Sequence, residues 1–200
     1  MRHLLPATLA MAAVVLASNI LVQFRLGDWL TWGALTYPVA FLVTDVTNRL
    51  HGAAAARRIV IAGFIAGVAC SLVAAGAGTT TLRIAAASGL AFMLGQMSDV
   101  AVFDALRHRR WWQAPFLSSL VGSALDTIIF FAVAFAIFLP ADANTAWANE
   151  AVPLLGVGPM LPLWVSLGLA DWGVKLALAA MALVPFRIIV ARLLSDPLRN

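Results

Sequence analysis

The chain has 200 residues, of which 62% are hydrophobic and 11% charged, with a formal net charge of +4. A soluble domain carries about 25% charged residues, so this composition, with a mean hydropathy of +0.94, excludes a soluble fold. The basic residues cluster at the ends of apolar runs, which makes them topology signals and not a nucleic-acid surface.

Windows of about 20 apolar residues predict six membrane helices in one all-α bundle spanning residues 1–200. The first covers residues 4–24, too long for the apolar core of a signal peptide, and reads as a retained span. It stacks Asn19 and Gln23 on one face and carries small residues at Ala10, Ala13 and Ala17. After a break at residues 25–28, the second covers 31–50, with Tyr37, Phe41, Asp45 and Asn48 on one face at helical spacing. The third covers 59–77 and carries no charge. Its Gly63-xxx-Gly67 pattern suits close packing, within the chain or against a second copy in a homo-oligomer. Its Cys70 has no partner cysteine and reads as a small packing residue.

The fourth span covers 82–106 and aligns Phe92, Gln96, Asp99 and Phe103. The fifth covers 114–139, stops at Pro140, and aligns Ser119, Ser123, Asp126 and Phe130. The gap at residues 141–162 carries Asp142 and Glu150, no basic residue, and several prolines and glycines, which reads as an irregular outward-facing loop. The sixth span covers 163–184, with Trp164, Asp171 and Lys175 on one face and Pro185 marking a kink or an end.

Placing the N-terminus in the cytoplasm puts Arg2, Arg49, Arg57, Arg58, Arg107, Arg109, Arg110, Arg187, Arg192 and Arg199 inside. Only Arg25 and Arg83 then lie outside, so both termini are expected in the cytoplasm. Trp111 and Trp112 would anchor the inner interface, and Trp29, Trp32, Trp147 and Trp164 the outer one. Trp172 lies too deep for either belt.

Asp45, Asp99, Asp126, Asp171 and Lys175 fall inside the apolar stretches. An ionised side chain at bilayer depth costs about 2.5–3.5 kcal/mol on insertion scales, so these residues should turn toward a shared interior. Asp171 and Lys175 are one turn apart. They form either a mutually neutralising pair or the wall of a polar cavity in which the lysine can change partners. Asp126 has no basic neighbour in its own helix and sits ~15–18 Å from the inner end at ~1.5 Å per residue. It is protonated, paired across helices, or a ligand. Arg49 either snorkels to the headgroups or reaches back to Asp45. Asp99 and Asp104, near Arg107, read as gating or anchoring ion pairs at the inner end.

His3, His51 and His108 lie far apart and no spacing suggests a metal. No phosphate loop and no nucleophile–base arrangement occurs, so neither a cofactor nor an enzymatic activity is expected.

Several segments carry a specific resemblance. They are Ala17-Ser-Asn-Ile-Leu-Val-Gln23, and Thr31-Trp-Gly-Ala-Leu-Thr-Tyr-Pro-Val-Ala-Phe-Leu-Val-Thr-Asp-Val-Thr-Asn-Arg-Leu-His-Gly52. Further along come Ala91-Phe-Met-Leu-Gly-Gln-Met-Ser-Asp-Val-Ala-Val-Phe103, Arg109-Arg-Trp-Trp-Gln-Ala-Pro115, Leu125-Asp-Thr-Ile-Ile-Phe-Phe131 and Asp171-Trp-Gly-Val-Lys175. In this order and spacing the chain resembles the queuosine precursor transporters, a vitamin-uptake-like family of bacterial inner-membrane proteins. The resemblance implies import of 7-deazaguanine bases: 7-cyano-7-deazaguanine, 7-aminomethyl-7-deazaguanine or queuine-like relatives. A carboxylate can accept both the ring N1–H and the exocyclic amine of such a base, a role open to Asp126 or Asp171. Asn19, Gln96 and Ser123 are placed to read other edges, and Phe41, Tyr37, Phe130 and Trp172 to stack. The expected protein is a secondary transporter with alternating access, driven by a gradient, with a proton as the favoured coupling ion, or by mass action as metabolism traps the base. The alternative is a substrate-binding subunit of an ATP-driven uptake complex.

Overall fold

The computed structural model describes residues 4–21, 24–26, 30–136 and 145–194. Expectations placed on Arg2, His3, Gln23, Asp28, Trp29, Pro140, Asp142 and Arg199 lie outside these residues.

Helix occupies each of the six apolar stretches. In chain order the helices are α1 (Leu5–Leu21), α2 (Trp32–Thr36), α3 (Val39–His51), α4 (Ala53–Gly76), α5 (Leu82–Leu106), α6 (Gln113–Phe135) and α7 (Leu163–Leu194). Helices α4 to α7 are long and apolar enough to cross a membrane, and α1 is a shorter apolar helix. The second stretch is not one helix but two. The turn at Tyr37-Pro38 separates α2 from α3, because Pro38 lacks an N–H and its ring crowds the preceding turn.

Three other boundaries differ from the sequence expectation. Gly52 takes φ 83° and ψ 169°, a backbone region open essentially to glycine. It ends α3 and starts α4 at Ala53, so Arg57 and Arg58 are exposed on the first turns of α4 and not in a loop. Helix α7 does not stop at Pro185 but runs on to Leu194, 32 residues in all. That is ~48 Å of helix against ~30 Å of hydrocarbon, so one end projects beyond the apolar layer, carrying Arg187 and Arg192. The stretch expected as an irregular loop holds a small hairpin, β1 (Ala151–Pro153) against β2 (Met160–Pro162), with Val152 opposite Leu161. Its turn uses Leu155 at φ 50° and Gly156 at φ 84°.

The exterior and interior are inverted relative to a soluble protein. Leu9, Leu16, Ile65, Val73, Ile128 and Met181 are exposed, while Asp45, Gln96, Asp99, Asp126 and Lys175 are buried. A bilayer is the solvent that makes this arrangement stable, since exposed apolar surface costs nothing in hydrocarbon and helices satisfy their own backbone groups.

Two close crossings hold the helices together. Gly63 and Gly67 of α4 face Met11 and Val15 of α1, so this small-residue pair packs inside the chain. On α1 the inward residues are Met11, Val15 and Ser18, whereas Ala10 and Ala13 are exposed. A tighter crossing joins α5 to α6. A Cβ on Gly95 would lie 2.9 Å from the Gly122 carbonyl oxygen, and a Cβ on Gly122 would lie 2.9 Å from that of Gly95. At the far end of this pair, Arg83 donates from Nε to Val133 O (2.8 Å) and from Nη2 to Ala136 O (2.7 Å). It thereby satisfies carbonyls that the end of α6 leaves without intrahelical partners.

Candidate functional site

The α5–α6 crossing brings polar stripes face to face at the centre of the bundle. Lys175 of α7 points into it. Its Nζ lies 2.6 Å from Asp126 Oδ2, 2.6 Å from Asp171 Oδ2 and 3.0 Å from Thr127 Oγ1. Tyr37, at the break between α2 and α3, donates its hydroxyl to Asp126 Oδ1 at 2.9 Å. Thr127 donates to Asp171 Oδ2 at 3.0 Å. The Tyr37 ring also lies under the ammonium, 5.5 Å from Nζ to the ring centroid. Two carboxyl groups and one amine therefore form a cluster in which Asp126 and Lys175 are buried and Asp171 is half-buried. Asp126 is paired across helices, one of the three options its isolation in α6 left open.

Two clefts flank this cluster. One is a narrow cleft of ≈ 20 Å³, with Phe41 and Phe186 on its walls and Asp45, Ser119, Ser123 and Lys175 as its polar groups. That is room for about one water molecule, so a flat ring enters this cleft only when the helices move apart. The second, also ≈ 20 Å³, includes Asn19, Tyr37, Ser88 and Phe92. The first is lined by the first half of α3, the start of α6 and the stretch of α7 from Lys175 to Phe186. The second is lined by the end of α1, the second half of α4 and the first half of α5. Consecutive long helices run antiparallel, so the two clefts occupy opposite halves of the bundle. Tyr37 edges Phe41 of the first cleft and Phe92 of the second, with ring centroids 6.2 and 6.0 Å apart. The layer of Tyr37, Asp126 and Lys175 stands between them.

The other sequence-selected residues divide. Asp45 accepts from Ser118 Oγ (3.2 Å) and Ser119 Oγ (3.5 Å). Ser123 lines the first cleft and donates back to Leu120 O at 3.4 Å. Asn19 lines the second cleft, donates to Val15 O at 2.9 Å and accepts from Ser71 Oγ at 3.2 Å. Gln96 is fully buried and accepts from Thr44 Oγ1 at 2.6 Å, but it lines neither cleft. Phe130 belongs to an aromatic group with Phe131 and Phe135, at 5.2 and 6.1 Å, away from both clefts. Trp172 also lines neither cleft, and its indole N–H is buried without an acceptor.

At the basic end, Arg49 does not form an ion pair with Asp45. It donates to Arg107 O at 2.5 Å, and its guanidinium lies 5.2 Å from the Phe103 ring centroid. Arg107 pairs with Asp104 at 3.0 Å. Asp99 takes no part in that pair: it is fully buried and neither carboxyl oxygen has a hydrogen-bond partner. The sequence reading did not select Thr127 or Ser118. Thr127 is one helical step past Asp126 and so faces α7, and Ser118 is directly before a residue that was selected.

A bundle of apolar helices with buried charges around two clefts is the architecture of a multi-pass membrane protein. The chain belongs to the family described as "putative vitamin uptake transporter", whose profile matches residues 31–190. It is 43% identical over 141 residues to the queuosine precursor transporter of Escherichia coli K12, covering 61% of this chain and 64% of that protein. It is 34% identical over 171 residues to a "probable queuosine precursor transporter" of Haemophilus influenzae, covering 78% and 66%. A Bacillus subtilis protein of the same description is 34% identical over 135 residues, covering 56% and 59%. The chain thus spans less than two thirds of the length of these relatives. No solved structure matches it at a significant level. Transporter relatives and apolar helices together make this a multi-pass protein of the bacterial inner membrane.

Proposed function

We propose that the protein imports 7-deazaguanine precursors of queuosine by alternating access, with both termini in the cytoplasm. The observation that carries this reading is the first cleft: an aromatic wall, hydroxyls, a carboxylate and the edge of an ammonium cluster, next to a layer that separates it from a second cleft. The relatives named as queuosine precursor transporters supply the substrate class. Asp126 and Asp171 are both engaged by Lys175, so Asp45 is the cleft carboxylate free to accept the N1–H and exocyclic amine of the base. Phe41 stacks on the bicyclic ring, a contact worth about 1–3 kcal/mol per base in nucleic-acid systems. Ser119 and Ser123 read the ring edges. Lys175 changes partner from a carboxylate to the base carbonyl as the layer opens. No ATP-binding motif occurs in the chain, so a gradient drives uptake.

The test uses cells unable to synthesise the base, supplied with 7-cyano- or 7-aminomethyl-7-deazaguanine, with queuosine in tRNA as the readout. Expression of this chain is expected to restore the modification. Asp45→Asn, and Asp126→Asn combined with Asp171→Asn, are expected to abolish it. Failure of the unaltered chain to restore queuosine from either base defeats the reading. Restoration that disappears when the cell's own uptake ATPases are deleted makes the chain a subunit of an ATP-driven complex.

A further inference from the structure

Among the described residues, Asp45 and Asp99 are the buried carboxyls that form no ion pair. Asp45 is 3% exposed and Asp99 0%, on α3 and α5, and both reach the same stretch of α6. Ser118 and Ser119 donate to Asp45, and one turn further on the Asp99 Cβ lies 2.9 Å from where a Gly122 Cβ would stand. Hydrogen bonds from Thr44 to Gln96 (2.6 Å) and from Asn48 to Val100 O (3.0 Å) hold α3 against α5 at the level of these two carboxyls. Both oxygens of Asp99 are buried with no donor, an arrangement a lone carboxylate does not tolerate.

The charged groups around the pair are all otherwise engaged. On α3 itself, Arg49 turns to Arg107 O and the Phe103 ring. On α5, Arg107 is paired with Asp104. On α6, Asp126 is bound to Lys175 of α7, which Asp126 and Asp171 hold together. Helix α1 carries no charged residue, and the arginines of α4, Arg57 and Arg58, are exposed near its start. No described group lends a positive charge to the pair through an ion pair.

We propose that Asp45 and Asp99 together hold one proton, and that this pair is the proton-binding site of transport. One proton enters, an O–H bond forms on one carboxyl, and the other carboxylate accepts its hydrogen bond. The proton belongs to the pair and not to either residue. Asp45 lines the cleft, which gives the proton a path to water and brings it next to the base. With the base seated on Asp45, the proton rests on Asp99. On release the O–H bond breaks and the proton leaves through the cleft. The assignment of coupling rests on the import reading above, whereas the presence of the shared proton does not.

Infrared spectroscopy of the purified protein, without any base, reads the proton directly. At neutral pH the unaltered protein is expected to show a protonated-carboxyl band that both D45N and D99N lose and that D126N keeps. In proteoliposomes, D99N is expected to exchange labelled 7-cyano-7-deazaguanine while losing the accumulation that an imposed pH gradient drives in the unaltered protein. Absence of the band from the unaltered protein, its survival in both variants, or gradient-driven accumulation by D99N overturns the proposal. If D99N fails to fold, the band in D45N decides. A band lost in both variants alongside no transport of the base by the unaltered protein leaves the proton pair standing and defeats the import reading instead.

Discussion

Replacing Lys175 with methionine would leave Asp126 buried and Asp171 half-buried with no cation between them. Removing one partner of a buried ion pair costs about 3–5 kcal/mol, because the remaining charge stays desolvated. Asp171→Asn keeps the Lys175–Asp126 contact and is expected to cost clearly less. The two variants are compared by thermal unfolding in detergent, and a melting temperature for Asp171→Asn at or below that of Lys175→Met contradicts the central role of the lysine. Tyr37→Phe removes one hydrogen bond to a charged acceptor, worth about 1.5–3 kcal/mol, and keeps the ring. It is expected to lower the melting point moderately. At this scale the sequence showed the i, i+4 pair Asp171–Lys175, because both partners lie on one helix. It could not show Asp126 pairing with the same lysine from 49 positions away, or Arg49 turning from Asp45 to a carbonyl at the end of α5. Those contacts depend on which helices are neighbours, which no periodicity within one helix records.

Single glycines decide how closely the elements approach. At Gly122 an added Cβ would meet Asp99 Cβ, Gly95 O and Phe41 Cε1, each at 2.9 Å. Backbone cannot yield there as a flexible side chain can, and overpacking of this kind costs about 1–3 kcal/mol. Gly122→Ala is therefore expected to lower the melting temperature and to reduce uptake, by separating α5 from α6 and with them Asp99 from Asp45. Gly89→Ala, whose Cβ would meet only side chains at 3.4 and 3.5 Å, is expected to leave both unchanged. Equal behaviour of the two in a thermostability assay would remove the α5–α6 contact from the explanation. The Gly63-xxx-Gly67 repeat was legible because two small residues at helical spacing form a pattern. Gly95 and Gly122 were not, since each is a lone glycine whose partner sits on another helix. The break at Tyr37-Pro38 is a different case. The stretch is apolar throughout, so hydropathy joins what the proline divides, and the division places Tyr37 beside Asp126 at an interrupted helix, a common location for transporter sites.

The whole bundle presents two clefts in opposite halves, and the described arginines are distributed unevenly between those halves. Arg49, Arg107 and Arg187 lie on the half that holds the Asp45 cleft, and Arg83 on the other. The excess of basic residues marks the cytoplasmic side, so the Asp45 cleft is expected to communicate with the cytoplasm and the Asn19 cleft with the exterior. Charge alone supplies this orientation as an expectation, whereas the existence of two separate clefts was not legible, because it depends on side chains from the α2–α3 break, α6 and α7 meeting in a layer. Thiol labelling tests both together. In a Cys70→Ala background, Ser88→Cys sits in the second cleft and Ala182→Cys in the first. A membrane-impermeant thiol reagent is expected to modify Ser88→Cys in intact cells and Ala182→Cys only in inverted vesicles. Addition of the base is expected to slow modification of Ala182→Cys, since the ring would occupy that cleft. Modification of both positions from one side would mean that the layer of Tyr37, Asp126 and Lys175 does not divide the pathway. Reversed sidedness would keep the layer and overturn the orientation.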